Sequence, residues 1–230
     1  IRDRKDGIYL RAYANQKPID AYKKEGFEME ISVRRYKPSD KEKLRDICLA
    51  TSPYAANPTP AKKTAVCALY NDYYTECEAD NCFVAQKENG EVVGYIICST
   101  QPDDYLVAMH KHYTPVAAEN RFFAPVEQKA TEYLLGKYAK QGYTAHLHID
   151  INDEGRHKGV GRKLMRALCS HLTVKGVKGV MLICGADNKN ARAFYERCGF
   201  EEKQRFFTAS VYAASPAEVV GKIDALPVLG

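Results

Sequence analysis

The 230-residue sequence has no tryptophan, no apolar run approaching the ~18 residues of a membrane-spanning helix, and no Cys-x-x-Cys pair. The first of these absences excludes little. The second excludes a helical membrane anchor within this sequence, and the third excludes the usual zinc-ribbon and dithiol-redox spacings. No signal-peptide pattern opens the chain, and no grouping of His, Cys, Asp and Glu has the spacing of a metal site. His110-x-His112 reads as surface, so no metal is expected. The eight cysteines (48, 67, 77, 82, 98, 169, 184 and 198) fall largely inside apolar runs, as buried thiols do. They are expected to be reduced, in a cytoplasmic protein. The formal charge of +5 is mild and favours anionic small ligands. Without a concentrated basic stripe it predicts neither a nucleic-acid partner nor a membrane surface.

A hydrophobic fraction of 45% is enough for a sizeable core, and the patterning is that of alternating strands and helices. Ile, Val and Tyr alternate with Ser and Arg from Ile31 to Tyr36, which predicts a first strand. Ser39 stands three residues before Glu42, a capping-box spacing that predicts a helix with Leu44, Ile47 and Cys48 on its apolar face. Pro53, Pro58 and Pro60 mark a loop, after which a Tyr-rich helical stretch runs from about Ala61 to Glu78. Cys82 to Gln86 and Glu91 to Cys98, joined at Asn89-Gly90, predict a hairpin. From Thr100 to Thr144 there is no glycine before Gly136. Phe122, Phe123 and the run from Val126 to Tyr138 predict helices there rather than a linker.

The most informative stretch is Ala145 to Phe200. It reads as a strand (AHLHIDI), a glycine-rich turn (RHKGVG) opening a helix, a second strand (VMLICGA), and a short helix that ends at Gly199-Phe200. In the turn Arg156-His157-Lys158-Gly159-Val160-Gly161, the glycines leave successive amides free to point at one anion. The positive end of the helix dipole falls at the same place, and Arg156 and Lys158 add charge. The spacing fits a site for a pyrophosphate. It is neither the dinucleotide fingerprint, which needs a further glycine, nor the phosphate loop ending in Gly-Lys-Ser/Thr. Val160, Leu164, Leu168 and Leu172, with Met165 and Cys169 beside them, give the following helix a buried face. On the strand, His146, His148 and Asp150 share one face and Leu147, Ile149 and Ile151 the other.

Arg-x-x-Gly-x-Gly after a strand, followed by Asn188, Ala191, Tyr195 and Gly199-Phe200, resembles the GNAT superfamily of acyl-CoA-dependent N-acetyltransferases. The resemblance implies an α/β fold with a mixed, mostly antiparallel central sheet, helices on both faces and, here, a helical insertion before the cofactor-binding strand. It implies acetyl-CoA as acyl donor, with its diphosphate on Arg156, His157, Lys158, Gly159, Val160, Gly161 and Arg162. Its pantetheine arm would lie along the backbone of Ile149, Asp150 and Ile151, with Asn188 serving as both helix cap and cofactor contact. Tyr195 matches the residue that protonates or hydrogen-bonds the thiol sulfur. Acyl transfer also needs a neutral amine, for which His148 and Asp150 (with His146) are candidate bases, and a stabilised oxyanion. A histidine needs little tuning for this role near neutral pH, whereas Asp150 needs a raised pKa or a water relay. The reading is therefore an N-acetyltransferase working by direct attack of a primary amine. The amine would belong to a small molecule or a protein and sit among Tyr70, Tyr73, Tyr74, Asp72, Glu76 and the insertion. The alternative is a non-catalytic recognition module that binds CoA weakly or not at all. The layout of the insertion is similar to the acetyltransferase-like domain attached to some O-GlcNAc hydrolases.

The N-terminal residues carry an echo. Asn15, Tyr22, Gly26 and Phe27 recur as Asn188, Tyr195, Gly199 and Phe200 after one shift (188 − 15 = 173). Residues 1–28 thus read as a partial GNAT-like strand–helix half-motif, a remnant of an upstream unit, with 29–215 as the acetyltransferase domain and 216–230 as a C-terminal tail. An upstream unit or a second copy of the chain is the expected protein partner.

Overall fold

The computed structural model describes residues 30–120 and 125–227. The half-motif read in residues 1–28 lies outside the described residues. β1 (Ile31–Arg35) is followed by α1 (Lys41–Thr51), then by α2 (Pro60–Cys67), a π-helical turn (Ala68–Asp72) and α3 (Tyr73–Cys77). The hairpin β2 (Phe83–Lys87) and β3 (Val92–Ser99) turns at Gly90, whose φ of 88° suits a residue without Cβ. The insertion is helical: α4 (Pro102–Ala108), a π turn (Met109–Tyr113), α5 (Thr114–Glu119) and α6 (Pro125–Ala139). Then come β4 (Ala145–Ile151), α7 (Val160–Val174), β5 (Val180–Gly185), α8 (Lys189–Arg197), β6 (Glu201–Arg205), β7 (Ala209–Ala214) and α9 (Pro216–Asp224).

The sheet has the order β1-β2-β3-β4-β5-β7-β6, and every neighbouring pair is antiparallel except β4–β5. β3, with all eight residues buried, is a central strand, whereas β6 (EEKQR) carries the charges that suit an edge. Helices lie on both faces. One core packs Leu44, Ile47, Val66, Tyr74, Tyr95 and Ile97 beneath α1, α2 and the insertion. The other packs Leu164, Leu168, Leu172 and Leu182 beneath α7, each such side chain contributing roughly 1.5–3 kcal/mol.

Two details differ from expectation. The start of α1 is not capped by Ser39. Pro38–Asp40 form a 3-10 turn, and the Asp40 carboxylate, held by Arg34 at 2.7 Å, accepts from the Lys37 amide at 2.8 Å. Asp40 wins because it satisfies an amide and a guanidinium together. Within 216–230, α9 buries Val219 and Ile223 in the α7 core, and Arg166 and Asp224 pair at 2.6 Å.

Candidate active site

β4 and β5 diverge. Their ladder consists of Ala145↔Val180 and His146↔Met181, after which β5 continues with β7 and β4 with β3 as far as Ile151↔Gly94. From Leu147 onward, the side of β4 that faces β5 has no strand partner among the described residues. Main-chain groups do not stay unpaired without a ligand or water to satisfy them, so the gap is chemically prepared for an extended polar chain. Exposure follows the splay: Ala145, His146 and Leu147 are buried, and His148 to Ile151 are half-buried.

The glycine turn closes the open end of this gap. His157 (φ 62°) and Gly159 (φ 70°) both take left-handed backbone. Among the described residues, the amides of residues 156–162 donate to no main-chain carbonyl outside a helix, and Gly159 caps α7 with no side-chain bond. Successive free amides at a helix start form an anion site, and this is the observation on which a diphosphate fits. The turn is braced from below. The Gly155 amide donates to the Asn152 side chain and carbonyl, both at 3.1 Å, and the Asn152 amide donates to the Val93 carbonyl at 2.9 Å. A Cβ on Gly155 would come within 2.8 Å of Ile151 Cγ2 and 3.1 Å of the Val93 oxygen. Sequence reasoning missed this glycine, since its need arises from a strand distant in sequence.

Three turn residues also make contacts within the protein. Gly161 has no room for a side chain because Phe194 stands 3.1 Å from the position of its Cβ and Ile151 3.3 Å away, so close packing of α8 on α7 demands it. Arg156 donates to the Ile151 carbonyl (3.2 Å) and pairs with Asp153 (2.9 Å), which partly neutralises its charge. Arg162 donates to the Pro227 carbonyl at 2.7 Å, which draws its guanidinium toward the C-terminal segment. His157 and Lys158 have no partner among the described residues and remain available. Asn188 Oδ1 accepts from the Ala191 amide at 3.0 Å as the cap of α8, leaving its NH2 group for other partners.

The histidine–aspartate face of β4 looks toward α1–α4, and burial there acts on imidazole and carboxylate in opposite senses. The Tyr74 hydroxyl lies 2.8 Å from His146 Nε2, Tyr105 packs on the ring at 4.4 Å, and Nδ1 has no partner among the described residues. Burial, then His148, lowers the His146 pKa to about 3. His148, edged by Tyr70 and Tyr74, is lowered by burial to about 4. Both stay neutral and are weak bases. Asp150, by contrast, is raised by burial, against opposing hydrogen bonds from Tyr95 (2.5 Å) and Thr51 (3.0 Å). Desolvation disfavours whichever form is charged, so it strengthens the carboxylate as a base and weakens the imidazole. Tyr95 and Thr51 were not legible as site residues, because their meeting with Asp150 depends on the β3–β4 register and the docking of α1.

Tyr195 comes from the opposite wall. Its helix ends at Gly199 (φ 93°), and the Phe200 amide donates back to the Tyr195 carbonyl at 3.0 Å, fixing the last turn. Phe194, Phe200 and Tyr212 surround the ring at 5.4–6.1 Å. The hydroxyl has no hydrogen-bond partner among the described residues. Burial, then the Cys184 and Asp150 charges, holds its pKa well above the ordinary phenol value, so it keeps a proton to donate.

The expected acceptor pocket is only partly assembled. Tyr73 and Tyr74 are core residues; Asp72 faces Arg45 at 3.3 Å and Glu76 pairs with Lys41 at 2.6 Å. The helix turns these carboxylates away from the gap, toward cations of α1. The insertion places Tyr105 against His146, at the closed end of the gap. Tyr70 remains beside His148. His110 Nε2 stands 3.4 Å from Glu132 Oε1.

The GNAT acetyltransferase family model matches residues 49–200. The chain belongs to the GNAT acetyltransferase family. Among solved structures it is similar to SsHAT (26% identity, TM-score 0.69, covering 81% of this chain and 98% of that one). At the level of fold it resembles the polyamine N-acetyltransferase of Drosophila melanogaster (15%, 0.54, 81% and 100%). The same holds for the PaiA N-acetyltransferase of Thermoplasma acidophilum, solved with coenzyme A (14%, 0.51, 81% and 99%). No described helix is long and apolar enough to cross a membrane.

Proposed function

We propose that the protein moves an acetyl group from acetyl-CoA to a primary amine by direct attack. Acetyl-CoA supplies an activated acyl thioester. The free amides of residues 156–162, with Lys158 and His157, are the groups to hold its diphosphate. The unpaired edge of β4 at Ile149 and Ile151, with the Asn188 amide group, is suited to its pantetheine arm. The observation that carries the reading is the arrangement around one gap: an amide-lined turn at its mouth, a carboxylate on one wall and a protonated phenol on the other.

Asp150 takes a proton from the amine, and Tyr195 gives its proton to the sulfur as the C–S bond breaks. An ammonium acceptor loses two protons on becoming an amide; one restores Tyr195 and the other leaves through Asp150. His148 lines the site as a neutral ring. The experiment is thiol release from acetyl-CoA across a panel of primary amines. Saturable release with at least one amine is expected. Tight acetyl-CoA binding with no release on any amine overturns the reading in favour of a recognition module.

A further inference from the structure

Thr51 ends α1 with its hydroxyl oxygen near three acceptors: the Ile47 carbonyl at 2.8 Å, the Cys48 carbonyl at 3.4 Å and Asp150 Oδ1 at 3.0 Å. A hydroxyl has one proton to give and two lone pairs with which to accept. It cannot donate to Ile47 and to Asp150 together, yet the Ile47 contact is the shorter. The arrangement is satisfied in two ways. With Asp150 ionised, Thr51 donates to Oδ1. With Asp150 protonated on Oδ1, that proton is donated to Thr51, whose own proton goes to Ile47. Tyr95 is different. It approaches the other oxygen, Oδ2, at 2.5 Å, and can donate in both states.

We propose that Thr51 is a two-way positioning residue for Asp150, its hydroxyl turning between Oδ1 and the Ile47 carbonyl as Asp150 loses and gains the proton of the attacking amine, while Tyr95 holds Oδ2 throughout. The proposal rests on the acetyltransferase reading. As the amine N–H bond breaks, an O–H bond forms at Oδ1 on the lone pair that faces the amine; rotation about the C–O bond swings that proton toward Thr51, whose own proton turns to the Ile47 carbonyl, and the Asp150 proton later leaves to solvent. A half-buried base whose two oxygens are both held by protein groups is best served by partners in both charge states, since a polar group stranded in either raises the barrier between them. A hydroxyl rotor meets that need with one side chain, whereas an amide or an ammonium would serve only the ionised form.

Among the described residues, the groups bearing on Asp150 are Cys48 and Thr51 from α1, Tyr95 from β3, Arg156 from the glycine turn and Tyr195 from α8, with His148 two residues back on the same face of β4. Cys184 of β5 bears on Tyr195 in turn. Burial keeps the phenols of Tyr95 and Tyr195 protonated, the hydrogen bond with Cys67 and then burial do the same for the Cys48 thiol, and burial keeps His148 neutral. Arg156 is thus the charge Asp150 feels, and it is itself shared with Asp153.

The two side chains make different predictions. Tyr95→Phe removes a donor that favours the ionised form, so Asp150 should titrate about one to two pH units higher, and the acidic limb of kcat/KM should move with it. Thr51→Val removes a partner from both charge states. The Asp150 titration should rise by clearly less than in Tyr95→Phe, because loss of the donor to the ionised form is offset by loss of the acceptor for the protonated one, while kcat falls roughly tenfold at every pH, the worth of one hydrogen bond. Thr51→Ser should restore it. The test is a 13C-carboxyl NMR titration of Asp150 together with the pH profile of thiol release, on the wild type and these variants, with Thr51→Ala as a second deletion should valine disturb the fold. A Thr51→Val protein whose Asp150 shifts as far as in Tyr95→Phe shows a simple donor and overturns the rotor; so does an unchanged kcat. Absence of thiol release by the wild type on every amine removes the acetyltransferase reading, and the base role with it.

Discussion

Acid should weaken this domain through two histidines of β4. His146 and His148 titrate at about 3 and about 4 in the fold, chiefly because burial disfavours the imidazolium, against about 6.5 in an unfolded chain. A folded-state pKa below the unfolded one means that the unfolded chain takes up the proton first. The full stability is therefore present above pH ~6.5 and is lost as pH falls toward 4 for His148 and toward 3 for His146. Each proton contributes a slope of about 1.4 kcal/mol per pH unit. Over the two units below pH ~6.5, both rings together approach ~5 kcal/mol as an upper figure, since the half-buried His148 is partly screened. That is a large share of the ~5–15 kcal/mol that holds a domain together. His171, lowered by burial and then by Arg35 and Lys175, adds in the same sense. Asp150, whose pKa is raised by burial, acts oppositely: protonation there favours the folded state as pH falls through its folded pKa, and it offsets part of the loss. The assay is urea unfolding followed by far-UV circular dichroism at half-unit steps between pH ~7 and ~4.5. His146→Gln, which keeps an acceptor for the Tyr74 hydroxyl, should lower the slope by about one proton. A free energy that is flat with pH, or a His146→Gln slope equal to that of the wild type, refutes the reasoning.

Tyr195→Phe keeps the ring packing and deletes a hydroxyl that has no partner among the described residues, so melting should change by less than ~1 kcal/mol while thiol release falls about 10²-fold and acetyl-CoA affinity holds. Gly155→Ala forces a methyl against Ile151 and the Val93 carbonyl; a loss of ~1–3 kcal/mol is expected in thermal unfolding, with weaker CoA binding in calorimetry as the turn shifts. Gly159→Ala puts a Cβ on left-handed backbone at ~1–2 kcal/mol, and should lower CoA affinity more than it lowers the melting temperature.

Most of the fold was legible because its signals are local. The buried stripe of α7, read from Val160, Leu164, Met165, Leu168, Cys169 and Leu172, is the set that is buried. The alternation of AHLHIDI put the histidines and Asp150 on one side, where they are found. The Asn89-Gly90 hairpin and the Asn188 and Gly199 ends of α8 are likewise short-range chemistry. Three-dimensional neighbours were not legible. Nothing in the sequence ties Tyr95 or Thr51 to Asp150, or Gly155 to Val93, because those contacts follow from strand register and helix docking. Gly161 was readable as a glycine that must be bare, but the ring filling its place comes from α8, not from a ligand. Asp72 and Glu76 looked available only because the sequence does not tell which way a helix turns its carboxylates. Choosing Asp150 over His148 likewise required knowing that burial acts on both, since desolvation sorts the two bases in opposite directions.

The claim beneath the account is that unpaired amides between residues 156 and 162, at the start of α7, receive a diphosphate. Isothermal titration of the purified protein with CoA and with acetyl-CoA tests it directly. Saturable heat with one site per chain, given also by desulfo-CoA because it keeps the diphosphate, and abolished or sharply weakened for all three ligands by Gly159→Ala, is the predicted result. No heat with either ligand, or binding indifferent to Gly159→Ala, contradicts it.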